Sequence, residues 1–187
     1  VTSLAKRNKQ KNKEYSKKAS SRAGGKRSIS QKRLVVFLIS FFLIYFILGE
    51  IINLLDLSFL TNALASFSAS VVGGVALGNL VILGEGSKFV VSNMCTGLVS
   101  ASILAAVVFS LRKPNMKKKV ALFVLGTILL MLINIPRIIL VLLAAKAGFD
   151  AEMVHMATWF LMSAAILLIW YVGTKAWAKV EDFGELI

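Results

Sequence analysis

Leu34-Val35-Val36-Phe37-Leu38-Ile39-Ser40-Phe41-Phe42-Leu43-Ile44-Tyr45-Phe46-Ile47-Leu48-Gly49-Glu50-Ile51-Ile52-Asn53-Leu54-Leu55 carries one charge, Glu50, in an otherwise apolar run. As a helix it extends about 33 Å at about 1.5 Å per residue, enough to cross a hydrocarbon core of about 30 Å. The rest of the chain agrees with a membrane solvent. It is 187 residues long and 57% hydrophobic, with a mean hydropathy of +0.78, well above a soluble domain. The run is too long for a signal-peptide core and no cleavage pattern follows it closely, so it reads as a signal-anchor helix. The expected fold class is all-α, a polytopic membrane helix bundle.

Upstream, residues 1–33 hold twelve of the 22 Lys and Arg against one acid, Glu14. The formal charge of +13 therefore describes mainly this tail. Residues 1–33 have few large apolar side chains and are expected to be a disordered basic tail. Because the tail ends at a membrane span, its expected partner is anionic lipid headgroups, and no nucleic acid partner is assigned. Residues 34–180 form the expected transmembrane catalytic domain, and 181–187 an acidic cytoplasmic end.

Downstream, three more apolar segments read as spans: Thr96 to Leu111, Val120 to Ala145 and His155 to Thr174. Leu57 to Leu77 is weaker, rich in Ser, Ala and Gly, with Asn62 and the pair Gly73-Gly74. Cytoplasmic loops collect Lys and Arg. The basic tail and the loop Arg112-Lys113-Pro114-Asn115-Met116-Lys117-Lys118-Lys119 are therefore both cytoplasmic. An even number of crossings must separate them. Leu34–Leu55 and Thr96–Leu111 supply two, so Leu57–Leu77 is expected to be interfacial or re-entrant. The result is four full spans, both termini inside. Leu80 to Val91 places two apolar runs around Gly84-Glu85-Gly86-Ser87 and reads as a short outer hairpin leading into Cys95.

The only cysteine and the only histidine then fall on the same face, level with each other. Cys95 opens a helix within Asn93-Met94-Cys95-Thr96-Gly97. A helix N-terminus favours the thiolate, and Thr96 keeps the surroundings small and partly polar. His155 opens the last span, and a Cys–His pair is a familiar way to activate a thiol. Arg137 lies inside an apolar span, where a charge is costly and usually functional. Asn134, three residues earlier, shares its helix face. Arg137 would stabilise an oxyanion or hold a carbonyl or carboxylate. The competing readings are an ordinary buried cysteine, an arginine paired with Glu50, and a headgroup histidine. Asp150 and Glu152 read as solvated loop charges near His155. One Cys and one His are too few for a metal site, and no cofactor is expected. One cysteine also excludes an intramolecular disulfide.

Cys95-Thr96-Gly97, the Asn-x-x-Arg-Ile run from Asn134 to Ile138 and His155, in this order, resemble the exosortase/archaeosortase family of membrane transpeptidases. The hairpin before the cysteine and the basic loop between the Cys and Arg helices also look like that family, over roughly residues 70–175. The resemblance implies a catalytic Cys95, Arg137 and His155. It implies secreted protein substrates that end in a short motif, a hydrophobic helix and a basic cluster. It also implies removal of that tail at the outer face, with a membrane lipid as the proposed acceptor. The chain departs from larger bacterial members in having fewer spans, and Thr96 stands where Ser is frequent. The alternative is a non-enzymatic membrane subunit or small transporter that uses Arg137 for an anionic solute.

Overall fold

The computed structural model describes residues 31–84 and 86–178. Residues 1–30, which hold most of the expected basic tail, Glu85 and residues 179–187, which hold the expected acidic end, lie outside the described residues. The fold is mostly helical. It consists of α1 (Gln31–Leu54), α2 (Ser58–Val72), strands β1 (Val75–Leu77), β2 (Leu80–Ile82) and β3 (Lys88–Val90), a 3-10 turn (Asn93–Thr96), α3 (Leu98–Ser110), α4 (Met116–Lys146) and α5 (Ala151–Ala178).

Among the described residues three helices, α1, α4 and α5, are long and apolar enough to cross a membrane. The segment expected as a fourth span is shorter: α3 has 13 residues, about 20 Å of helix. The weak segment Leu57–Leu77 divides in two. Its first part is the 15-residue α2, which ends at Gly73 with φ 71° and the Gly73 N–H bonded to the Ala69 carbonyl. Only a residue without a β-carbon adopts that left-handed stop cheaply. Its last three residues are β1. The expected hairpin is present as β2 and β3, and β1 extends it to an antiparallel sheet in the order β1-β2-β3. Val75 faces Ile82 across the first pair and Leu80 faces Val90 across the second.

Local chemistry starts and stops the helices. Asp56 accepts from the Ser58 hydroxyl and from the Ser58 N–H at 3.0 Å, and these donors hold its carboxyl below the usual carboxylate range. Asn115 caps α4 by accepting from the Lys118 N–H at 3.2 Å. Lys119 reaches back to the Leu111 carbonyl at the end of α3. Asp150 caps α5, accepting from the Glu152 and Met153 N–H groups at 2.9 and 3.3 Å. The helix thus begins four residues before His155, and Asp150 serves the backbone.

Packing forms two cores. Leu104 and Val108 of α3, Leu122 and Leu130 of α4, and Met162 and Ile166 of α5 make one. In the second, Ala65, Ala69 and Val72 of α2 pack with Val81, Leu83, Val91 and the Ile138–Leu142 end of α4. Lys146 ties this second core together by donating to the Val72 carbonyl at 2.7 Å, one of the orphan acceptors of a helix end. The helix α1 packs on α3 and buries no residue of its own. Its aromatic and aliphatic side chains, Phe42 and Phe46 among them, are exposed, as a lipid-facing helix requires.

Candidate active site

The three expected residues converge where the two cores meet. Cys95, Arg137 and His155 line one cavity of about 340 Å³. Its remaining wall is mostly apolar: Phe89, Val90 and Val91 from β3 and its exit, Ile138, Val141 and Leu142 from α4, and Ala151. Glu152 stands on its rim.

Cys95 is half-buried and sits in the 3-10 turn, one step removed from the helix it was expected to open. Its N–H donates to the Ser92 carbonyl at 2.8 Å, and its Sγ lies 3.8 Å from the Ser92 Oγ. Gly97, with φ 84°, separates the turn from α3. Thr96 works locally: its hydroxyl donates to the Asn93 carbonyl at 2.7 Å and accepts from the Leu98 N–H at 3.3 Å. Thr96 therefore joins the turn to the helix start.

Asn134, fully buried, connects the cysteine to the arginine. Its side-chain N–H donates to the Cys95 carbonyl, and its Oδ1 accepts from Arg137 Nη1 at 3.1 Å. A guanidinium only donates, so this second contact fixes which way the amide points. Arg137 Nε donates to Thr158 Oγ1 at 3.0 Å, and the Thr158 hydroxyl in turn donates to the His155 carbonyl at 2.7 Å. Arg137 Nη2 lies 3.2 Å from His155 Nε2 and 3.4 Å from Nδ1. For the same reason, any hydrogen bond in this contact is accepted by an unprotonated ring nitrogen. Trp159 covers the guanidinium, with its ring centroid 5.8 Å from Arg137 Cζ, a favourable cation–π distance. The charge is thus satisfied by Asn134, Thr158, His155 and Trp159, and Glu50 is not among these partners. A guanidinium has five N–H donors. Among the described residues its Nε, Nη1 and Nη2 each have a partner, and the residue also lines the cavity.

Pro136 stands one residue before Arg137 inside α4. It has no N–H, so the Leu132 carbonyl loses its helical partner. The Cys95 turn can approach this part of α4 because of Gly97. A β-carbon there would meet Asn134 Cβ at 3.3 Å and the Met131 backbone at 3.5 Å. Gly97→Ala combines a left-handed φ with this contact. It is expected to cost about 1–2 kcal/mol, read as a lower midpoint of thermal unfolding in detergent, with activity falling as the Asn134–Cys95 contact opens.

Sequence reading missed Thr158, and it took Trp159 for an interfacial aromatic, not a cover for Arg137. Thr158 lies three residues after His155, on the same helix face, and that spacing was the available signal. Thr158→Val keeps the shape and removes the acceptor. A lost hydrogen bond to a charged group is worth about 1.5–3 kcal/mol, so a lower midpoint of thermal unfolding in detergent is expected, with membrane insertion unchanged. Among the described residues there is no group of three or more His, Cys, Asp or Glu side chains able to hold a metal ion.

No curated protein and no solved structure matches the chain. A family model does: residues 23–171 match the transmembrane exosortase (Exosortase_EpsH) model. That match takes in the cysteine turn, the arginine helix and the histidine helix together, and the chain belongs to the transmembrane exosortase family.

Proposed function

We propose that this chain is a membrane-embedded cysteine peptidase or transpeptidase. It removes the C-terminal sorting tail of secreted proteins and passes the acyl group to an amine or to water. Family membership supports an exosortase-type membrane function and, in general, partners that carry sorting tails. One observation carries the finer reading: Cys95, Arg137 and His155 line a single cavity, with Asn134 and Thr158 bonding the arginine to the backbone of the other two.

In this reading His155 starts neutral and takes the Cys95 proton, since arginine stays protonated. The thiolate attacks the scissile carbonyl, and the Arg137 guanidinium stabilises the oxyanion. The imidazolium beside a guanidinium is poised to give its proton to the departing amine. The thioester is then resolved by water or by an amine, a membrane lipid headgroup being the proposed acceptor, with His155 now acting as base.

The proposed topology has four crossings, by α1, α3, α4 and α5, with α2 interfacial or re-entrant and the start of the chain in the cytoplasm. Helix length sets the depth of the site. The 31 residues of α4 extend about 46 Å, longer than the bilayer core. With the basic residues Lys117 to Lys119 at the inner headgroups, Arg137 stands about 27 Å above them, close to the outer boundary. The 3-10 turn brings Cys95 to the same level on top of the short α3.

The direct test is a trapped intermediate. A secreted reporter with an apolar helix and basic cluster at its C-terminus is expected to form a hydroxylamine-sensitive adduct on Cys95, located by mass spectrometry of the purified chain. Full function in Cys95→Ser would instead favour the subunit or transporter reading.

A further inference from the structure

The three-stranded sheet has an edge that opens onto the candidate active site. Its hydrogen-bonding phase follows from two contacts: Val91 N–H to the Asn79 carbonyl at 2.8 Å, and Leu83 N–H to the Ser87 carbonyl at 2.9 Å. Both lie in the register that pairs Val81 with Phe89. In an antiparallel ladder, bonded and non-bonded pairs alternate. Ser87, Phe89 and Val91 therefore turn their backbone groups toward β2, while Lys88 and Val90 turn theirs outward. The sheet order leaves β3 at an edge, and among the described residues no hydrogen bond reaches the outward N–H and C=O groups of Lys88 and Val90. Val90 is 63% exposed.

Such a row of donors and acceptors is a template for another extended backbone. In or near a membrane it is costlier still to leave open, because lipid offers no hydrogen bonds. The Lys88 side chain guards the edge against indiscriminate pairing. The edge is also continuous with the candidate active site: Phe89, Val90 and Val91 line the cavity that contains Cys95, Arg137 and His155, and Cys95 follows only five residues after Val90. A segment laid along β3 would run directly past the thiol.

We propose that the edge of β3 is the substrate-recognition strand of this enzyme: the part of the protein substrate around its scissile bond binds in extended form to the backbone of Lys88 and Val90, as a fourth strand. This rests on the peptidase reading above. Backbone pairing would supply affinity and hold the scissile carbonyl still. Alternate side chains of the bound segment would meet the apolar wall of Ile138, Val141 and Leu142, which supplies selectivity.

Proline tests the edge without touching the sheet. The Val90 N–H makes no ladder bond, and an edge strand tolerates proline at such a position. Val90→Pro is expected to fold and insert normally and to raise KM at least 10-fold for a secreted reporter ending in an extended segment, an apolar helix and basic residues. A photo-crosslinker at Lys88 in the Cys95→Ala background is expected to capture the reporter just ahead of its helix. One at Ala76, on β1, is expected to capture none. Unchanged KM in Val90→Pro, or capture of a second copy of this chain instead of the reporter, overturns the edge proposal. Processing that survives Cys95→Ala overturns the peptidase reading itself, so the two failures are distinguishable.

Discussion

Cys95→Ala is expected to abolish tail removal while leaving the chain inserted and folded. The loss should be on the order of 10,000-fold or more, as when an attacking nucleophile is deleted from a hydrolase. The structure explains why stability should be spared. Cys95 is half-buried at the margin of the second core, its Sγ lies 3.8 Å from Ser92 Oγ, and its other hydrogen bonds are backbone ones: the N–H to Ser92 and the carbonyl to Asn134. Alanine keeps both. Cys95→Ser preserves shape as well, but an alcohol is a far weaker nucleophile at neutral pH than a thiolate. The experiment follows the mature and tailed forms of a reporter on an immunoblot, beside detergent-extracted enzyme of each variant. Processing that persists in the alanine variant would remove Cys95 from the reaction.

Arg137 substitutions should cost both activity and stability, in separable amounts. Arg137→Gln deletes a charge that is 6% exposed and withdraws donors from Asn134, Thr158 and His155. Each buried acceptor left alone costs about 1–3 kcal/mol, so a lower unfolding temperature is expected. Losing an oxyanion donor costs about 100- to 1,000-fold in turnover. Arg137→Lys separates the two effects. It restores the charge, but a point-like ammonium cannot span Asn134, Thr158 and His155 as a planar fork does. It is expected to regain some thermal stability while turnover stays at least 100-fold down. A lysine variant turning over within about threefold of wild type would show that only the charge matters.

The positions legible in the sequence were those that violate their surroundings. Arg137 in an apolar helix, a lone cysteine after a hairpin and a lone histidine at a helix start stand out because each is costly or rare where it lies. All three line the same cavity. The hairpin was legible because its turn residues are distinctive. What was hidden lacked such contrast. Val75-Ala76-Leu77 continues an apolar run, so nothing in its composition separates strand β1 from helix α2; only the left-handed stop at Gly73 does. Thr158 looks like any small polar residue in a membrane helix until Arg137 Nε is found against it. The turn holding Cys95 was read as the first turn of α3, because Gly97 breaks the helix by its φ angle, which composition does not reveal.

The division into two cores bears on how such an enzyme changes its clientele. The helices α3, α4 and α5 pack through one cluster, and α2 with the sheet through another. The two share the length of α4 and meet at the cysteine turn. The outward side chains of β3, Lys88 and Val90, can therefore be exchanged without entering either cluster, whereas changes in α2 must keep its packing on Ile138 and Leu142 of α4. Under the proposal that β3 recognises the substrate, retargeting is a local operation: a graft of residues 58–91 from one family member onto another is expected to carry the preference for a protein substrate with it.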